Sequence, residues 1–173
     1  CIDKFGRLDV LVNNAGILSS TLYDEVSEAE WDRVMAVNLK GVMFATREAL
    51  RPMKAQGWGR VISISSLAGR SGGVRSGAAY VASKAALIGL TRHLARSVAR
   101  DGITVNAVAP GTTDTDILKG FTDEQMAAIN EAIPIGRLGR PEEIAATVAF
   151  LASDLAGFIT GAVIDVNGGM YMG

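Results

Sequence analysis

The sequence predicts an α/β protein built on a doubly wound parallel sheet, and two observations lead to this fold class. Four short runs rich in Val, Ile and Leu end in small or polar residues, as buried parallel strands do before a loop. Segments with apolar residues at helical spacing separate these runs. Strands that alternate with helices form a parallel sheet with right-handed crossovers. We therefore expect one α/β domain over the 173 residues, with about four strands and flanking helices.

The first half of the chain contains two predicted strands and one long helix. Residues 1–6 are typical of the last turn of a helix with a glycine stop, and the apolar run at 8–12 predicts the first strand. Ser27 is a candidate N-cap followed by acidic residues, and apolar spacing continues the helix from there to Pro52. The second strand is expected at 60–66.

The second half follows the same alternation. Gly-rich residues 69–77 predict a loop, and apolar spacing then predicts a helix over 78–98 and a strand over 103–108. Residues 110–139 form the one long irregular segment, which in a compact domain is usually a lid or a binding loop. The remaining elements are a short helix at 123–133, a helix at 141–153 and a strand at 162–166.

The composition excludes several functional classes. Lys and Arg total 17 against 18 Asp and Glu, which argues against a nucleic-acid partner. No stretch reaches the roughly 18 apolar residues of a membrane helix, and no signal-peptide pattern opens the chain, so we expect a cytoplasmic protein without a membrane partner. The chain has one cysteine, Cys1, and one histidine, His93, so we expect neither an internal disulfide nor a Cys/His metal site.

Small and polar residues follow every predicted strand. Ligands of parallel sheets bind at this edge, beyond the carboxyl ends of the strands, so these residues are candidate binding residues. Tight turns explain any one of these groups, and they best explain 167–169 near the end of the printed sequence. The groups are Asn14-Ala15-Gly16, Ser65-Ser66, Pro110-Gly111-Thr112-Thr113 and Asn167-Gly168-Gly169.

Tyr80 and Lys84 form a candidate acid–base pair. They lie four residues apart on a predicted helix, so their side chains share one face. An ammonium group beside the phenol would lower its pKa and make Tyr80 a usable general acid or base. The alternative is a packed tyrosine beside a solvated lysine, because this spacing also arises by chance.

Taken together and in order, these motifs resemble the classical short-chain dehydrogenase/reductase family. The match rests on Asn13-Asn14-Ala15-Gly16, Val37-Asn38, Ile64-Ser65-Ser66, Tyr80-Val81-Ala82-Ser83-Lys84, and Pro110-Gly111 with Thr115. It covers essentially the whole chain, and residues 137–139, 148–153 and 166–172 are most similar to 3-oxoacyl-acyl-carrier-protein reductases. The resemblance implies the C-terminal portion of a Rossmann-like fold and hydride transfer between NADP or NAD and a carbonyl or alcohol, with NADP favoured.

The resemblance also implies roles for individual residues. Tyr80 would donate the proton, and Lys84 would lower the pKa of Tyr80 and hold the nicotinamide ribose. Ser66 would hydrogen-bond the substrate oxygen, and Asn38 would seat a water in a proton relay. Ser66 is preferred to Ser65 because the family serine precedes a three-residue step to a glycine. Further cofactor contacts would be Asn14, Ala15, Gly16, Pro110, Gly111, Thr113 and Thr115.

The chain also departs from the family pattern. It contains no Gly-x-Gly-x-x-Gly turn for the pyrophosphate, so we expect the domain to be N-terminally incomplete by about 70 residues. The strand at 8–12 would then expose an apolar edge. Gly57 and Asp101 occupy positions that are basic in typical carrier-protein reductases, which weakens the prediction of an acidic carrier-protein partner.

Three functions stay open on the sequence. The first is reduction of a 3-oxoacyl thioester in fatty acid biosynthesis, with acyl carrier protein as a possible partner. The second is a dehydrogenase of a small alcohol, sugar or polyol. The third is a truncated, non-catalytic remnant that oligomerises. The resemblance implies a homotetramer built on the helices at 31–52 and 80–100.

Overall fold

The structure, a computed structural model, describes residues 1–73, 76–115, 118, 120 and 122–173 and confirms the predicted α/β class. All strand pairs in the sheet are parallel, and the strands lie side by side in chain order. The strands are β1 (Val10–Asn13), β2 (Gly59–Ile64), β3 (Ile103–Pro110) and β4 (Val163–Val166). The helices are α1 (Ile2–Phe5), α2 (Glu28–Met35), α3 (Val42–Gln56), α4 (Leu67–Ser71), α5 (Ala78–Val98), α6 (Asp123–Ala132) and α7 (Pro141–Ala152).

Helices cover both faces of the sheet. Side chains alternate between the two faces along each strand, and both faces are apolar. Val61 and Ile62 are neighbours in β2 and point to opposite faces, as the two-residue period of a strand requires. On the face of Val61, α3 and α5 bury a core with β3, and Met53 of α3 is 0% exposed. On the face of Ile62, the buried core consists of Ile62, Val108, Leu151 and Ala156.

The predicted long helix is longer and less regular than the sequence indicates. A single π-helical turn, Ala36–Gly41, joins α2 to α3 without a break. The helix does not end at Pro52 but continues to Gln56. A proline removes one helical hydrogen bond, and complete burial of Met53 in the same turn offsets that loss.

The loop predicted after β2 contains a short helix. Strand β2 ends at Ile64 rather than at Ser66, and the hydroxyl of Ser66 accepts a hydrogen bond from the N–H of Ala68 at 3.1 Å. This contact is the N-cap of α4, which starts at Leu67 and extends into the loop predicted over 69–77. Residues 74 and 75 of that loop, and residues 116, 117, 119 and 121 of the predicted binding loop, lie outside the described part of the chain.

Strand β1 forms one edge of the described sheet. It pairs with β2 alone, from Val10 opposite Arg60 to Asn13 opposite Ser63. Val12 is 41% exposed and lines the cavity described below, and the apolar edge expected for this strand stays a prediction. Among the described residues, no helix combines the length and the apolar character that a membrane crossing demands.

Candidate active site

A cavity of about 1080 Å³ opens beyond the carboxyl ends of β1, β2 and β3. The segments after these strands, the start of α5 and the helices α6 and α7 contribute to its walls. Of the site residues predicted from the sequence, only Ala15 and Asn38 do not line it. Those that line it are Asn14, Gly16, Ser66, Tyr80, Lys84, Pro110, Gly111, Thr113 and Thr115.

Lys84 is a buried cation in the wall of this cavity. Its side chain lies on the first half of α5, and the residue is 4% exposed. Its Nζ donates a hydrogen bond to the carbonyl oxygen of Ile64 at 2.7 Å, at the end of β2. Burial disfavours the charged form and lowers the pKa of Lys84 to about 8. At neutral pH the ammonium form still dominates, so the site carries a positive charge.

Tyr80 lies one turn before Lys84, as the spacing of four predicts. The Nζ of Lys84 is 5.7 Å from the centroid of the Tyr80 ring. Burial raises the pKa of Tyr80, and the neighbouring Ser66 hydroxyl offsets only part of this effect. The expected lowering of this pKa by Lys84 is therefore not what the structure gives, because desolvation of the phenol dominates. A raised pKa keeps the phenol protonated at neutral pH, which is the form that donates a proton.

The two serines after β2 have different contacts. Ser65 is buried, and its hydroxyl donates to the backbone carbonyl of Lys84 at 2.8 Å, so it joins β2 to α5. Ser66 is only partly buried, and its hydroxyl caps α4 and lies near the phenol of Tyr80. Both serines line the cavity, and the role of Ser66 as the substrate contact stays a prediction.

Asn38 lies behind the cavity, in the π-helical turn, and is 0% exposed. Its Oδ1 accepts from the N–H of Ile17 at 2.8 Å, and its Nδ2 donates to the carbonyl of Ile17 at 3.0 Å. Nδ2 also donates to the hydroxyl of Ser83 at 3.1 Å. The side chain therefore holds the segment after β1 in place, and its part in a water relay stays a prediction.

Sequence reasoning did not single out Ser83, which is fully buried. Its hydroxyl donates to the carbonyl oxygen of Tyr80 at 2.7 Å and accepts from Asn38. Ser83 thus links the helical turn that carries Tyr80 to the π-helical turn. Its position three residues after Tyr80, on the same helical face, is the signal that could have found it.

The segments after β3 and β4 are tied to each other and to the residues before α7. The N–H of Gly111 donates to the carbonyl of Val166 at 2.9 Å. Thr113 pairs with Gly139, the segment in which the predicted binding loop ends. Oδ1 of Asn167 accepts from the N–H of Gly169 at 3.0 Å, which is the turn contact expected at 167–169.

Known proteins match the chain over almost its full length. The profile of a family described as Enoyl-(Acyl carrier protein) reductase matches residues 1–171. A Vibrio cholerae protein named 3-oxoacyl-[acyl-carrier-protein] reductase is 47% identical over 170 residues, which is 98% of this chain and 69% of that relative. The proteins of the same name from Escherichia coli and Staphylococcus aureus are 47% and 49% identical, over 98% and 99% of this chain and 69% of each relative.

The chain belongs to the short-chain dehydrogenase/reductase family. This confirms the resemblance stated from the motifs, and the described residues form the C-terminal portion of that fold, with its parallel sheet and flanking helices. The chain is a short-chain dehydrogenase/reductase oxidoreductase related to 3-oxoacyl-[acyl-carrier-protein] reductases. The names of the profile and of the relatives refer to different reactions, at a carbon–carbon double bond and at a ketone.

Proposed function

We propose that this short-chain dehydrogenase/reductase carries the proton-transfer site of an enzyme that reduces a 3-oxoacyl thioester with NADP or NAD. One observation carries the proposal: a buried ammonium group, a protonated phenol and a serine hydroxyl meet at one cavity beyond the sheet. Acid catalysis at a carbonyl needs a proton donor and a neutral hydrogen-bond donor where negative charge develops. Tyr80 and Ser66 supply these two groups.

The reaction divides between the cofactor and the side chains. When bound, a nicotinamide cofactor would provide the hydride for the carbonyl carbon. The phenol of Tyr80 gives its proton to the carbonyl oxygen, so the ketone becomes a hydroxyl group and Tyr80 becomes a phenolate. The Ser66 hydroxyl donates a hydrogen bond to that oxygen, and the charge of Lys84 stabilises the phenolate until a proton from solvent restores it.

The described residues fit a nicotinamide cofactor. A Cβ on Gly16 would lie 3.3 Å from Nζ of Lys84, so the bare backbone at this position opens directly onto the ammonium group. Nζ donates to one protein acceptor among the described residues, the carbonyl of Ile64, which leaves N–H groups for ribose hydroxyls. Asn14, Gly16 and Lys84 would hold the nicotinamide side. Ala15, Pro110, Gly111, Thr113 and Thr115 remain proposed cofactor contacts.

The names of the relatives support a 3-oxoacyl thioester as the substrate. All three are named as reductases of 3-oxoacyl groups carried by acyl carrier protein. Acyl carrier protein is therefore the proposed partner, and a homotetramer the proposed assembly.

The test uses the natural gene product and a Tyr80→Phe variant. We expect kcat for acetoacetyl thioester reduction to fall by about 10² to 10⁴, because the variant lacks the proton donor. Tyr23→Phe is the matched control, since Tyr23 is 83% exposed. Substrates are a 3-oxoacyl thioester, a 2-enoyl thioester and a panel of alcohols, sugars and polyols, each with NADP and NAD cofactors. Near-normal turnover by Tyr80→Phe would show that Tyr80 is not the acid, and preferred turnover of another substrate would replace the 3-oxoacyl assignment.

A further inference from the structure

We infer that Glu30 is a positioning residue for the active site, because it holds the loop that fixes the start of α5. The inference rests on the proposed function, in which Tyr80, the third residue of α5, donates the proton. Glu30 lies in the first turn of α2 and belongs to none of the motifs of the site. Its effect on the reaction would pass through residues 19–21, which follow β1.

Two hydroxyl groups of this loop converge on one oxygen of Glu30. The hydroxyl of Ser19 donates to Oε1 at 2.7 Å, and that of Thr21 donates to the same atom at 2.9 Å. These hydrogen bonds lower the pKa of Glu30, with that from Ser19 as the larger cause, so the acceptor is a carboxylate at neutral pH. Hydrogen bonds to an ionised acceptor are stronger than those between neutral groups. Ser19 is 5% exposed, which places part of this contact away from solvent.

The same loop residues cap the N-terminus of α5 with their backbone. The carbonyl of Ser19 accepts from the N–H of Gly77 at 2.7 Å, and that of Thr21 accepts from the N–H of Ala78 at 3.3 Å. The first N–H groups of a helix have no partner within it, and Gly77, the N-cap residue, has no side chain to serve as one. Loop 19–21 therefore supplies the cap that Gly77 lacks.

Loop 19–21 packs directly against the N-terminus of α5. A Cβ on Gly77 would lie 2.6 Å from Oγ of Ser19 and 2.6 Å from the carbonyl oxygen of Thr21, which is closer than real contacts allow. A shift of the loop would therefore be transmitted to Gly77 and Ala78. Tyr80 follows Ala78 by two residues, within the same helical turn.

The other end of the loop is tied to the site by Asn38. This side chain binds both backbone groups of Ile17, and through Ser83 it also reaches the carbonyl of Tyr80. Asn38 and Glu30 thus hold one short segment, 17–21, at its two ends. The phenol of Tyr80 depends on that segment for the position of its helix, and a misplacement of about 1 Å is enough to slow a proton transfer strongly.

The experiment compares Glu30→Ala, Glu30→Gln and Glu28→Ala in the natural gene product. Glu30→Ala removes the shared acceptor, so we expect kcat to fall by about tenfold while KM changes by less than about twofold. Glu30→Gln keeps an oxygen that can accept both hydroxyls, so it should retain most of kcat. Glu28 is exposed in the same turn of α2 and serves as the control. Amide exchange at Gly77 and Ala78 should speed up by about tenfold in Glu30→Ala only.

A double-mutant cycle separates this inference from the proposed function. In a Tyr80→Phe background, Glu30→Ala should cause no further loss of kcat, because both changes act on the same proton transfer. An equal fold-loss in both backgrounds, or unchanged amide exchange, would overturn the role of Glu30 even if Tyr80→Phe inactivates the enzyme. High activity of Tyr80→Phe alone would refute the proposed function, and amide exchange would still decide whether Glu30 holds the loop.

A second pair of variants guards against loss of folding. Ser19→Ala and Thr21→Val each remove one of the two donors and leave Glu30 in place. Each should lower kcat by about threefold and speed up exchange at the N–H that its own carbonyl accepts, Gly77 for Ser19 and Ala78 for Thr21. Full kcat in both variants would contradict the inference, whether or not Glu30→Ala folds.

Discussion

Two cations are buried at opposite ends of β2, and they differ in how completely the protein engages them. Arg60, at the amino end, is 4% exposed, and its guanidinium lies over the Trp58 ring at 4.2 Å. It donates to the carbonyl of Gly59 at 3.0 Å and forms an ion pair with Asp154 at 3.6 Å. Lys84, at the carboxyl end, is equally buried but donates only to the carbonyl of Ile64 among the described residues.

The protein pairs the charge of Arg60 with its own groups but leaves the charge of Lys84 only partly paired among the described residues. The contacts of Arg60 are an aromatic ring, backbone carbonyls and a carboxylate, so the protein itself satisfies this cation. Lys84 keeps N–H groups free of described partners beside a cavity, and its pKa is lowered to about 8 because burial is not compensated. A cation that the fold leaves incompletely paired next to an open cavity is available to a ligand.

Removing Lys84 is expected to have the largest effect on activity. Lys84→Met keeps a long apolar side chain but removes the charge that we propose stabilises the Tyr80 phenolate, so kcat/KM should fall by about 10² to 10³. Steady-state kinetics with a 3-oxoacyl thioester measure the loss. Arg60→Met is the matched control, and its folded fraction should keep near-normal turnover. Retention of more than about a tenth of the activity by Lys84→Met would mean that its charge does not serve the reaction.

Removing Arg60 is expected to have the larger effect on stability. Arg60→Met loses the contact with Trp58 and leaves the carbonyls of Gly59 and Ser153 without this donor. The free energy of unfolding should fall by about 3 kcal/mol, with most of the loss from these buried groups. The ion pair adds little, because the side chain of Asp154 is 89% exposed. Urea unfolding measures the change, and Arg47→Met, which removes a half-exposed arginine, should change stability by less than about 0.5 kcal/mol.

The sequence predicts the sheet well because burial on both faces makes each strand a visible apolar run. It misses features that have no periodic signal. Helix α4 has five residues, too few for a helical pattern, and its N-cap residue, Ser66, falls within the predicted strand. The π-helical turn around Asn38 has the same apolar spacing as the helices on either side of it. The continuation past Pro52 depends on burial of Met53, which only tertiary packing provides.

The candidate site shows a similar division. Tyr80 and Lys84 could be named from their spacing, and Ser66 from its strand-end position together with the family resemblance. All three line one cavity. Their pKa values could not be predicted, because the sequence shows the neighbouring ammonium group but not the burial that outweighs it for Tyr80. Glu30 contacts Ser19 and Thr21 across a loop, and no local pattern reveals such contacts. Ser83 differs, because its spacing of three residues from Tyr80 is visible in the sequence.

The smallest expected effect is the change in stability caused by Lys84→Met. It is opposite in sign to that of Arg60→Met, and it depends on pH. The drop in the pKa of Lys84 from 10.5 to about 8 corresponds to about 3 kcal/mol of burial cost below pH 8, where folded and unfolded chains both hold the proton. The variant also loses the hydrogen bond to Ile64, which lowers its stability by about 1 kcal/mol or somewhat more. Lys84→Met should therefore stabilise the protein by about 1 to 2 kcal/mol at pH 7, whereas Arg60→Met destabilises it.

The pH dependence checks the cause of that gain. Between pH 8 and 10.5 the unfolded chain holds more protons than the folded one, so the contribution of Lys84 to stability rises with pH over this window. Lys84→Met should lack this rise, and its advantage over the wild type should shrink as pH increases. Urea unfolding at several pH values measures the difference between the two proteins. A Lys84→Met variant that is less stable than the wild type at pH 7 would show that the protein does satisfy this ammonium group, and the contrast with Arg60 would then disappear.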